Sequence, residues 1–214
     1  MHTVNSTVCI PLLVFCACYN LDNMQNAIIL HGKANQIKYY DPMYASPSNA
    51  AWIPWIQKQL LMKDVLAQTP EMPRPWSPNY FDWSEEFERY HISSNTILIG
   101  HSCGAGFIIR WLSEHTNIRV GKVVLVAPWL DPDQNGDMGD FFDFTIDPNI
   151  IKRASEIIIF NSDNDFPSAQ DSANIIREAV HGIKYLEINK RGHFTEITKF
   201  PELRDALLSI DEKV

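Results

Sequence analysis

The sequence predicts an α/β protein built as a mainly parallel sheet with helices on both faces. Three observations carry that prediction. Short apolar runs, such as 96–100 and 122–127, recur between longer stretches whose apolar residues return at helical spacing. The runs are continuous rather than alternating, as in strands covered on both faces. After residue 24 no linker, repeat or shift of composition marks a second unit, so 24–214 reads as one domain.

The elements follow in order. Residues 27–30 are a buried strand stopped by His31-Gly32. Ala51, Trp52, Trp55, Ile56, Leu60 and Leu61 give a helix over 49–63, with Pro54 in its first turn, where a missing N–H is tolerated. Residues 64–68 are short enough for another strand, and 71–78 are proline-rich and irregular. Phe81, Trp83, Phe87 and Tyr90 predict a helix over 79–91. Strand 96–100 leads into a helix over 103–114, whose Phe107, Ile108, Trp111 and Leu112 share one face. Strand 122–127 precedes an acidic, aromatic loop over 131–147. Strand 156–160 is followed by a helix near 168–180, and strand 184–188 by a closing helix over 196–210 interrupted near Pro201.

Composition narrows the function. Among 214 residues, 18 Lys and Arg against 26 Asp and Glu leave a net charge of −8, which argues against a general nucleic-acid binder. A hydrophobic content of 45% is too high for a disordered chain, and 11% aromatic residues can supply both a core and an apolar pocket. Three of the four cysteines, Cys9, Cys16 and Cys18, precede residue 24. The body keeps only Cys103, which rules out an internal disulfide framework there and suits a reducing cytoplasm.

The apolar run 8–19 is shorter than the ~20 residues a membrane span takes. Its length suits a signal peptide, and Ala17-Cys18 resembles a lipoprotein cleavage site, but residues 1–7 carry no Lys or Arg. Met24 directly precedes the first strand and turn, which favours 1–23 as an extension upstream of the domain. The alternative is a signal or lipid anchor, making the protein exported; the N-x-S/T site at Asn5 matters only then.

Three segments at strand ends carry complementary chemistry. Gly100-His101-Ser102-Cys103-Gly104 lies directly between a strand and a helix, the context of a nucleophile elbow. So sharp a turn leaves no room for side chains two residues either side of the serine. Asn161-Ser162-Asp163-Asn164-Asp165 ends a later strand, and Gly192-His193-Phe194 follows the last one. The order Ser102, Asp165, His193 suits acyl transfer. A serine hydroxyl is a poor nucleophile until a neutral imidazole takes its proton, and a buried carboxylate orients that imidazole. Asp163, as a cap of the Pro167 helix or a solvated side chain, and Asp131 or Asp133, after the third buried strand, are rivals to Asp165. Gly32 permits close backbone approach, so the Lys33 amide can join the Cys103 amide as a donor to a developing oxyanion. His31 reads as a packed structural histidine, and Cys103 as small filler whose amide matters. Trp129 is a candidate substrate contact. Phe141, Phe142 and Phe144 either roof the same pocket or belong to the core.

Gly100-His-Ser-Cys-Gly104, the 161–167 loop, Gly192-His193-Phe194 and Trp52-Ile-Pro-Trp55 resemble the small serine hydrolases of the retinoblastoma-binding-protein-9 and YdeN type, over roughly residues 25–210. The resemblance implies a compact α/β-hydrolase fold, a triad of Ser102, His193 and Asp165, no cofactor, and a small-molecule acyl ester or amide substrate. It favours Asp165 over its rivals. The sequence departs from the pattern at Lys33-Ala-Asn-Gln, where relatives carry small residues, and at Asn161, where glycine is frequent. Because the family name records a binding partner, an interaction module with little catalysis is the alternative function. No metal is expected: 131–137 opens like a calcium loop, but its twelfth position is Phe142, and no Cys/His cluster has zinc spacing. Nothing in the sequence sets the oligomeric state.

Overall fold

The structure is a computed structural model and describes residues 25–208. The expectations for 1–23 and for residues 209–210 lie outside the described residues. Six strands form one sheet in the order β2-β1-β3-β4-β5-β6, every pair parallel. They are β1 (Asn26–Leu30), β2 (Leu66–Gln68), β3 (Ile97–His101), β4 (Lys122–Val126), β5 (Glu156–Ser162) and β6 (Lys184–Ile188). The helices are α1 (Gln36–Tyr40), α2 (Ile53–Leu61), α3 (Tyr80–Phe87), α4 (Cys103–Glu114), α5 (Pro167–Ala179) and α6 (Pro201–Leu208). Two 3₁₀ turns, Pro47–Asn49 and Pro148–Arg153, complete the set.

Successive strand residues point to opposite faces, and each face has its own core. Ile28, Leu30, Leu98, Val123, Leu125, Ile157 and Ile159 pack with Trp83 and Phe87 of α3, Phe107 of α4 and Ile176 of α5. Ala27, Ile29, Ile97, Ile99, Val124, Val126, Ile158 and Phe160 pack with Ile56 and Leu60 of α2 and Leu203 of α6. The continuous apolar runs are explained by this two-sided cover. Beside the edge strand β2, β1 pairs on its other side with β3, so the chain order reverses between β1 and β3. In open α/β sheets that reversal opens a crevice beyond the strand carboxyl ends. The loops at 31–35 and 101–103 therefore meet there.

Several boundaries differ from expectation. The helix over 49–63 begins only at Ile53, because Ala51 sits at φ 52° and interrupts it. The helix over 79–91 ends at Phe87; it starts where Asn79 accepts the Asp82 amide at 3.1 Å. The closing helix starts at Pro201 rather than straddling it, since proline suits a first helical position and breaks an interior one. Among the described residues no helix is long and apolar enough to cross a membrane.

Candidate active site

Ser102 is the single residue between β3 and α4, held at φ 54° and ψ −122°. A non-glycine residue with positive φ is strained and persists only where its surroundings enforce it. Here the Ser102 amide donates to the Val126 carbonyl at 2.9 Å, while its own carbonyl accepts from Ala105, Gly106 and Trp129 at 3.0, 3.1 and 3.2 Å. The hydroxyl does not cap α4.

The two flanking glycines are required by space. A Cβ on Gly100 would lie 2.5 Å from Ala105 Cα and 2.6 Å from Ala105 N, and one on Gly104 would strike the His31 carbonyl. Gly100→Ala is therefore expected to cost about 2–3 kcal/mol, because backbone rather than a flexible side chain must shift. Thermal unfolding should show a Tm lower by about 4–12 °C for a domain of this size; an unchanged Tm would contradict this account of the elbow.

The structure brings Ser102, His193 and Asp165 together. Ser102 Oγ lies 2.8 Å from His193 Nε2, and His193 Nδ1 lies 2.9 and 3.1 Å from Asp165 Oδ1 and Oδ2. The Asp165 side chain is fully buried and the His193 side chain is 18% exposed, so the relay runs from a dry carboxylate toward the cleft. Asp165 Oδ1 also accepts the Phe166 amide at 2.8 Å.

The rival acids have other work. Asp163 does not cap α5; it is exposed, and its Oδ1 accepts the Lys190 amide at 2.6 Å. Ser162 Oγ accepts the Arg191 amide at 2.9 Å and Asn164 Oδ1 the Gly192 amide at 2.8 Å. Three consecutive side chains at the end of β5 thus grip three consecutive amides of the loop that presents His193. Asp131 accepts the Asn135 and Gly136 amides within its own loop, and Asp133 is exposed.

Two further histidines support the site from within. His31 is packed, as expected of a structural histidine. Its Nε2 accepts the Met72 amide at 3.0 Å, so Nδ1 carries the proton and donates to the Gly32 carbonyl at 2.7 Å. His101 was not anticipated. Its Nε2–H donates to the His193 carbonyl at 2.8 Å, with the two rings 5.0 Å apart. Burial first, and the His193 charge second, push the His101 imidazole from its ordinary 6.5 down to about 3. The unfolded chain then binds a proton that the folded chain refuses, so stability falls as pH drops from about 6.5 toward 3. His101→Gln should shrink the difference in urea stability between about pH 7 and about pH 5; an undiminished difference would assign it to other groups.

Cys103 is a buried free thiol, and burial pushes its pKa up, opposite to what a thiolate nucleophile needs. Its amide is the first of α4, at the positive end of the helix. Among the described residues no protein acceptor takes the Cys103 or Lys33 amide. A Cβ on Gly32 would sit 2.9 Å from Ser102 Cβ, so the chain before Lys33 passes directly against the nucleophile.

A cleft of ≈ 840 Å³ opens at this point, lined by Ser102, His193, Lys33 and the aromatic residues Tyr39, Tyr44, Trp52, Trp129 and Phe166. Trp129 is at the cleft as expected. Phe141 is fully buried in the core, and Phe142 and Phe144 pack against that core. Tyr39, Tyr44 and Phe166 were missed because no periodic signal marks residues that meet only through folding.

A parallel sheet reversing at β1 and β3, with a strained serine on the β3–α4 turn, defines the α/β-hydrolase fold. The sequence profile described as "Serine hydrolase" matches residues 42–209. YdeN of Bacillus subtilis, named as a hydrolase, is 31% identical over 183 residues, covering 79% of this chain and 93% of its own. The chain belongs to the serine hydrolase family and is a YdeN-like hydrolase. The crystal structure of the ydeN gene product superposes with TM-score 0.72 at 26% identity, covering 86% of this chain and 96% of that one. Est1E of Butyrivibrio proteoclasticus shares the fold with TM-score 0.59 at 12% identity, covering 89% of this chain and 88% of that one.

Proposed function

We propose that the protein hydrolyses small acyl esters, and amides more slowly, through an acyl-enzyme on Ser102. His193 Nε2 takes the hydroxyl proton as Oγ bonds to the acyl carbon. The Cys103 and Lys33 amides donate to the resulting oxyanion. The intermediate collapses with the leaving group taking the proton from His193, and water then repeats the sequence to free the acid. Asp165 holds the imidazole with its proton on Nδ1 and stabilises the imidazolium. The aromatic wall that includes Trp129 suits an apolar acyl or leaving group. No cofactor enters this chemistry.

The observation that carries the reading is the unbroken series from Ser102 Oγ to Nε2 at 2.8 Å and from Nδ1 to Asp165 at 2.9 Å. Such a series favours turnover over an interaction module that has merely kept the fold, since a non-catalytic chain has no use for all three groups. A graded set of nitrophenyl esters, with matched amides and thioesters, tests it. Turnover of the short esters with an initial burst, lost in His193→Ala, is expected; wild-type protein inert toward the whole set would overturn it.

A further inference from the structure

The reading above uses the backbone of Lys33 but not its side chain. The 31–34 turn is fixed on one side by the His31 bond to the Gly32 carbonyl and on the other by the Ala34 amide, which donates to the Pro75 carbonyl at 2.9 Å. Between these anchors Lys33 Nζ donates to the carbonyl of Gly136, in the loop after β4. Gly136 is itself held. Its amide donates to both carboxylate oxygens of Asp131, at 2.9 and 3.1 Å. A Cβ there would strike the Trp129 indole, so only glycine fits. One residue is thus pinned at its N–H by a carboxylate and at its carbonyl by an ammonium, both charge-assisted and among the stronger hydrogen bonds.

We infer that the Lys33 side chain is a positioning residue: by latching onto the Asp131-anchored carbonyl of Gly136, it holds the 32–33 backbone over Ser102 so that the Lys33 amide meets the oxyanion. The acidic loop, which resembles a calcium site in sequence, is on this account the fixed post of the latch. The inference rests on the serine-nucleophile reading.

The test is steady-state ester hydrolysis by Lys33→Met, Lys33→Arg, Asp131→Asn and the Met/Asn double variant, with fluorophosphonate labelling of wild type in parallel. Loss of a whole oxyanion donor costs about 10²–10³-fold in kcat. A loosened donor should cost less, about 10-fold in Lys33→Met, with KM nearly unchanged. Arginine, which keeps the charge and the donor, should restore most of the loss. Because both residues act through Gly136, the double variant should be little worse than Lys33→Met alone. Unchanged kcat in Lys33→Met, a rise in KM alone, or fully multiplicative losses would overturn the latch while leaving labelling of wild type intact. Wild type that neither labels nor turns over would instead remove the nucleophile reading on which the latch rests.

Discussion

Ser102→Ala should lower kcat for ester hydrolysis by on the order of 10⁶-fold, because no other group can form the covalent intermediate. The expectation is sharp because the obvious understudies are disabled by their surroundings. The Cys103 thiol is buried and pushed up in pKa, and it sits one residue past the apex of the elbow, in the first turn of α4. Alanine at 102 removes the hydroxyl but keeps the backbone bonds that enforce the positive φ, so the melting curve should move little. Activity and fold are therefore separable at this position. A variant retaining more than a few per cent of activity with an intact fold would point to a nucleophile elsewhere.

Asp165→Asn should lower kcat by about 10⁴-fold while leaving KM much less affected. Asparagine preserves size and can still accept the Phe166 amide. It places no charge beside the imidazolium, however, and an amide NH₂ facing Nδ1 would select the tautomer whose Nε2 cannot accept from Ser102. The fully buried position of this carboxylate leaves no water to substitute for it. Asp163→Asn makes the comparison informative. It keeps an acceptor for the Lys190 amide and does not touch the His193 ring, so its kcat should stay within about tenfold of wild type. Equal losses in the two variants would contradict the assignment of the relay to Asp165.

Much of the architecture was legible because the central strands β1, β3, β4 and β5 are largely apolar on both faces and each principal helix keeps one apolar stripe. The elbow was legible for a steric reason: two glycines around a serine, between a strand and a helix, satisfy a constraint that the structure meets at Ala105 and His31. The choice between Asp163 and Asp165 was not set by spacing. Both carboxylates reach the same loop, one binding its backbone and the other its imidazole. Helix α1 escaped notice because its five residues bury no side chain and so carry no periodic signal. Ala51 truncated a well-patterned helix through a backbone angle that its side chain does not advertise. The His101 bond to the His193 carbonyl joins positions 92 residues apart, and only the fold brings them together.

The most direct measurement is mass-spectrometric mapping of the protein after reaction with an active-site fluorophosphonate. The account predicts one covalent adduct on Ser102, formed in wild type, strongly slowed in His193→Ala and absent in Ser102→Ala. An adduct on any other residue, or none on a folded wild-type protein that hydrolyses esters, would contradict it.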